Sequence, residues 1–285
     1  MINIDTIKKN KTLAELLEFG IINLDKPIGP TSFQTGELVG RMLGLRKFSH
    51  AGTLDPLVGG VLPIMLNRAC KLLGWFMKKN KTYVGIMRIH KEISGEKLKV
   101  EMQKFTGKIM QLPPVKSRVK RELREREVYS WKIIEIEYKD VLFEAEVEAG
   151  TYIRKLISDL GEKIGGAHMT ELRRTEAGIF KEKDKNFVNL YELGEAIEEA
   201  KQGKEERLKE IIIPGEAIGE ILNVVYVVEK VVLKLLTGKP IMKQDIKEGE
   251  IKDGGNAIFS GNRFIGVYRK VYEHDIIARS EWVLN

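Results

Sequence analysis

Apolar and polar residues recur along this chain in two periods, and glycine or proline usually marks the change from one to the other. "KTYVGIMRIH" (81–90) alternates with period two, the pattern of a strand with one covered face. "GGVLPIML" (59–66) is an apolar run of strand length. "TLAELLEFG" (12–20) has helical spacing, a threonine to cap it and a glycine to close it. "GIINLDKPIGPTSFQ" (20–34) predicts a short strand and a turn set by Pro27, Gly29 and Pro30; Thr31 or Ser32 then caps the helix "FQTGELVGRMLG". "RACKLLGWFMKK" and 96–105 also read as helices. Pro113 and Pro114 make the stretch from 108 start extended, and it continues as a charged hairpin or helix rich in arginine.

Residues 128–154 predict two or three strands around Lys139-Asp140, and 155–165 a helix ended by Gly165-Gly166. "HMTELRRTEAGIF" reads as a short helix and then a strand. An acidic helical stretch follows and ends at Pro214-Gly215. The last segment predicts strand, helix, strand and a hairpin around Ser260-Gly261-Asn262. Strands and helices do not alternate regularly as βαβ units do. The expected fold is therefore α+β, with a mixed-sheet domain over 1–216 and a compact, mostly β domain over 217–285.

Composition narrows the class. The 285 residues are 43% hydrophobic and 31% charged, as in a folded soluble protein. A single cysteine, Cys70, excludes a disulfide framework and suits a reducing, cytoplasmic setting. The four histidines are scattered and no Cys/His spacing suggests a metal. No nucleotide-binding glycine motif, secretory signal or membrane-length apolar run is present, so neither a cofactor nor a membrane is implied. Net charge is +7, but residues 71–132 hold 17 Lys and Arg against 6 Glu and no Asp. Such a block is the footprint of a phosphate backbone; a solvated basic face is the alternative.

Candidate chemistry centres on "HAGTLDP" (50–56). Asp55 precedes a proline among small residues. It is either an Asx-turn brace or a working carboxylate. The second reading requires a counter-charge in a cleft that excludes water. Arg154 of "AGTYIRKLI", set among apolar neighbours, is the candidate, and the two would form a buried pair. Tyr83 lies beside the basic block and could stack on a base, or simply pack.

Taken together, "INLDKPIGPTSF", "HAGTLDPLVGGVL", "KTYVG", "LPPVKSRVKR" and "AGTYIRKLISDLGEKIGGAHMTELRR" resemble the tRNA pseudouridine synthase B family, on the archaeal dyskerin-type side. The tail, with "EKVVLKLLTGKPI" and "GNRFIGVYRK", resembles a PUA domain, a small RNA-binding β-barrel. The resemblance implies isomerisation of uridine to pseudouridine in tRNA, at the T-loop uridine, or at rRNA sites chosen by an H/ACA guide RNA. It implies no cofactor and no metal. It places Asp55 on the catalytic aspartate, Tyr83 on the base-stacking tyrosine and Arg154 on the arginine that pairs with the aspartate. His50, Tyr152 and Leu172 match substrate-pocket positions. Lys26 is grouped with them, in a mostly structural role, and Arg173 and Arg174 match backbone or structural contacts. RNA and the small H/ACA accessory proteins are the implied partners. Deleting 217–285 is expected to weaken RNA binding without rebuilding the pocket. A non-catalytic RNA-binding scaffold of the same fold is the main alternative, and an unrelated carboxylate hydrolase a third.

Overall fold

The computed structural model describes residues 2–113 and 120–285. Its larger sheet is mixed. The strands Gly20–Lys26, Gly59–Leu66, Ala167–Ala177, Lys81–Ile89, Asp140–Val147, Arg124–Glu137 and Gly107–Gln111 lie side by side in that order. Gly59–Leu66 meets Ala167–Ala177 in parallel, and the other neighbours in this row are antiparallel. A second sheet of six strands, from Asn223 to Val283, is nearly closed on itself. No helix among the described residues is long and apolar enough to cross a membrane.

The local signals do their predicted work. Thr12 and Glu15 close a capping box on the helix Leu13–Glu18, as do Thr31 and Gln34 on Ser32–Met42. Gly165, at φ +86°, ends the helix Ile153–Ile164 in the left-handed conformation that favours glycine. The strand Gly59–Leu66 is buried at every position, which explains its unbroken apolar run.

Two expectations change. Residues 167–177 form one continuous strand, with no helix in "HMTELRR". Along its length this strand pairs with Lys81–Ile89, and at Arg173–Arg174 it also pairs with Gly59–Gly60. Its inward positions include Leu172 and Arg174, and the charge on Arg174 conceals the period-two signal. Beyond the proline pair, residues 114–119 lie outside the described residues. From Arg124 the chain is a strand that pairs with Gly107–Gln111, so the hairpin reading fits that part and the helical one does not.

The tail packs on the rest of the chain through a shared core. One hydrophobic core includes Phe19, Ile21, Val61 and Met65 from the first sheet region and Ala257, Phe259, Phe264 and Val267 from the second. Phe19 stacks on Phe264 at 5.6 Å between centroids and meets Trp282 at 5.7 Å. Arg68 reaches the backbone carbonyl and side chain of Asn285. Cutting the tail away would uncover this core.

Candidate active site

The turn that carries Asp55 is tied down from several directions. Gly52 adopts φ +100°, a left-handed bend. Leu54 is held at both ends of its backbone by one side chain. The buried Ser32 hydroxyl accepts from the Leu54 N–H at 2.8 Å and donates to the Leu54 carbonyl at 3.0 Å. The Val58 N–H donates to the Asp55 carbonyl at 3.0 Å. Beneath the turn, the Lys26 ammonium donates to the carbonyls of Pro27, Pro56 and Val58 at 2.8, 3.3 and 3.0 Å.

Hydrophobic anchors bring the distant segments together. Leu54, Tyr83, Ile153 and Leu172 belong to one buried core cluster. Asp55 follows Leu54, and Arg154 follows Ile153. As the two apolar side chains sink into the core, the next residue in each segment is left at its rim. Asp55 and Arg154 meet there and form an ion pair. Tyr83 and Leu172 lie on adjacent strands, where Leu172 faces Gly85, two positions from Tyr83 and hence on the same face. Each is 9% exposed.

The pair is not buried, as the sequence had suggested. The side chains of Asp55 and Arg154 are 52% and 49% exposed. A rim position follows from the anchoring itself, because neighbouring residues at the turn and in the first helical turn point away from the core. Lys26, grouped with the pocket positions in a mostly structural role, is placed accordingly. It has no exposed surface and braces the Asp55 turn from beneath.

The other candidate residues and their neighbours are each held in place. His50 Nε2 lies 3.2 Å from the Thr53 hydroxyl, and burial, reinforced by the nearby Arg174 charge, pushes its pKa below the usual histidine range. Tyr152 caps the helix Ile153–Ile164, and its peptide is gripped by Gln111: Oε1 accepts from the Tyr152 N–H at 3.0 Å and Nε2 donates to its carbonyl at 3.3 Å. Arg173 bonds Asp25 and Glu182. Lys81, 5% exposed, donates to the Met77 carbonyl at 2.8 Å and to the Lys79 carbonyl. Burial, followed by the Arg174 charge, pushes its pKa down to about 7.

Ser32, Gln111 and Lys81 are structural parts of the site that the sequence reading did not single out. Ser32 looked like a helix cap, but Thr31 takes that role and frees Ser32 to turn inward. Gln111 immediately precedes "LPP", and nothing local marks it. Part of the basic block is also neutralised locally: Arg88 pairs with Asp140, Lys104 with Glu101, Lys108 with Glu125 and Arg126 with Glu148. No cluster of three or more potential metal ligands occurs among the described residues.

Comparison with known proteins gives this arrangement a family. Residues 40–102 match the TruB family pseudouridylate synthase N-terminal domain, and 154–219 the tRNA pseudouridylate synthase B C-terminal domain. A probable tRNA pseudouridine synthase B of Thermococcus kodakarensis is 43% identical over 82% of this chain and 72% of its own length. The chain belongs to the TruB family of pseudouridine synthases. A second relative of the same name, from Methanothermobacter thermautotrophicus, is 45% identical over 73% of this chain and 65% of its own. Among solved structures, a chain of a Cbf5-Nop10-Gar1 complex superposes with a TM-score of 0.90 at 36% identity, covering 97% of this chain and 88% of its own. A chain of an H/ACA RNP bound to a substrate RNA containing 2′-deoxyuridine gives 0.88 at 33% identity, with the same coverage. The α+β architecture of this TruB-family chain, with its small six-stranded second sheet, is thus that of the matched chain of the Cbf5-Nop10-Gar1 complex, and TruB-family pseudouridine synthases are isomerases.

Proposed function

We propose that this enzyme converts uridine to pseudouridine in RNA with Asp55 as its catalytic group, at the T-loop uridine of tRNA, at rRNA sites selected by a guide RNA, or at both. The observation that carries this reading is the Asp55–Arg154 pair at the rim of the core that holds Tyr83 and Leu172. In the reaction the N1–C1′ bond of the uridine breaks, the uracil turns, and a C5–C1′ bond forms. The C5 proton leaves to solvent and N1 gains one, so atoms balance with no cofactor. Asp55 either attacks C1′ or removes the 2′ proton. Arg154 holds the carboxylate in a fixed orientation through their ion pair. Tyr83 stacks on the uracil, with Tyr152 and Leu172 completing the pocket, and this offsets the few kcal/mol of unstacking. His50, as a neutral imidazole, fills the space that the flipped nucleotide leaves in the RNA.

Within this reading the chain divides into a catalytic domain over 1–216 and an RNA-binding PUA domain over 217–285. The unneutralised part of the basic block supplies salt-sensitive affinity for the backbone. One solved neighbour is in a complex with Nop10 and Gar1 and another belongs to an H/ACA RNP bound to a substrate RNA, which supports small accessory proteins and RNA as partners here. The setting is the cytoplasm.

The test uses RNA labelled with tritium at C5 of uridine, as unmodified tRNA and as rRNA fragments, with and without guide RNA and accessory proteins. Wild type releases tritium to water. Asp55→Asn abolishes release while RNA affinity changes by less than about tenfold. Equal release from the variant would remove Asp55 from the mechanism. No release from wild type on any substrate would favour a non-catalytic RNA-binding scaffold.

A further inference from the structure

The residue that joins the two halves of the site does not line it. Arg174 is 1% exposed, among the largest fully buried side chains of the protein. Its Nε donates to the Val61 carbonyl at 2.7 Å and its Nη2 to the Gly52 carbonyl at 2.9 Å. Burial disfavours its charged form, and the nearby Tyr83 works against that. Tyr83 and Arg174 face each other across the antiparallel ladder, where the register is irregular between Thr82 and Tyr83. One residue thus bonds the turn that leads to Asp55 and the strand after that turn, and pairs with the tyrosine across the ladder.

Two glycines permit this approach. At Gly60, with φ +100°, a Cβ would fall 2.2 Å from the Arg174 carbonyl oxygen. At Gly52 a Cβ would come 3.2 Å from Arg174 Nη1. The turn therefore closes directly onto the arginine.

Electrostatics make the arrangement a poor stabiliser. No carboxylate is paired with Arg174 among the described residues; its neighbours include the Lys81 ammonium and the His50 ring, both disfavoured in charged form by its presence. A buried charge without an acid is costly, and an apolar side chain would relieve that desolvation. What the arginine supplies is geometry: donors aimed in several directions from one rigid plane.

We propose that Arg174 is a positioning residue that sets the Asp55 turn against Tyr83, so that carboxylate and ring meet the uridine in a fixed relation. The proposal rests on the roles assigned above to Asp55 and Tyr83. Arg174→Met keeps the length of the side chain and removes its charge and donors. In this variant kcat for tritium release is expected to fall at least about tenfold while KM stays within about twofold, because the loss lies in alignment rather than in RNA binding. Tyr83→Phe removes only the hydroxyl and should give part of the same loss. The double variant should then be no worse than Arg174→Met, since both changes break one connection.

A readout independent of activity accompanies the kinetics. In protein carrying carbon-13 in its tyrosine rings, the Tyr83 resonance should be sharp in wild type and exchange-broadened in Arg174→Met. A folded Arg174→Met protein with wild-type kcat, losses that simply add in the double variant, or an unchanged Tyr83 resonance would each overturn the proposal. If Arg174→Met does not fold, Tyr83→Phe with wild-type kcat overturns it instead. If wild type releases no tritium but the Tyr83 ring loosens in the variant, the catalytic reading fails and the positioning contact stands.

Discussion

Replacing Arg154 by alanine separates catalysis from stability more sharply than the sequence suggested. In a buried pair, removing one partner would cost both, because an unpaired charge inside a protein is worth about 3–5 kcal/mol. Here both side chains are about half exposed. Water and salt screen them, and exposed pairs contribute about 0–1 kcal/mol. Arg154 is also in the first turn of its helix, where Ile153 and not Arg154 makes the core contact. Arg154→Ala should therefore lower the unfolding free energy by less than about 1 kcal/mol, a shift of no more than about 4 °C in melting temperature. Activity should fall by about a hundredfold or more, because a misaligned catalytic group forfeits that much. Arg154→Lys should recover part of the activity, keeping the charge but losing the planar fork. Urea unfolding with and without salt, run beside tritium release, measures both quantities on one preparation. A destabilisation above about 3 kcal/mol would mean that the pair is buried in solution. Wild-type release from Arg154→Ala would mean that Asp55 does not depend on it.

Phe264→Ala probes the shared core. The side chain is 2% exposed and packs on Phe19, Phe259 and Trp282, so its loss should cost about 3–5 kcal/mol and lower the melting temperature by roughly 6–20 °C. Calorimetry should show a single transition that moves as a whole; two transitions with only one displaced would refute the coupling of the sheets. Lys81 gives a pH signature. Its folded pKa is depressed from 10.5 to about 7, so between those values the unfolded chain holds the proton and the folded protein does not. Stability from this group therefore rises as pH climbs from about 7 towards 10.5 and is level below 7. The two carbonyls bonded to the ammonium favour its charged form and trim the effect to about 2–4 kcal/mol. Lys81→Met should remove that rise in denaturation midpoints measured from pH 6 to 10; identical pH profiles would show that Lys81 keeps its proton when folded.

Much of this protein was legible along the chain because the signals were local. Caps at Thr12 and Thr31, the glycine stop at 165 and the alternation over 81–89 each depend on a few neighbouring residues, and each element formed where its pattern stood. The motif segments likewise named Asp55, Tyr83 and Arg154 as a set. What the chain could not express was decided by contacts distant in sequence. Sheet pairing on both sides made a strand of 167–177, whose inward arginine hides its period. Ser32, Gln111 and Lys26 became braces only when folding placed carbonyl and amide groups within their reach. The exposure of the Asp55–Arg154 pair followed from which neighbours sank into the core. Periodicity records which face of an element is covered; it carries no information on what covers that face or how far a side chain at its edge remains in water.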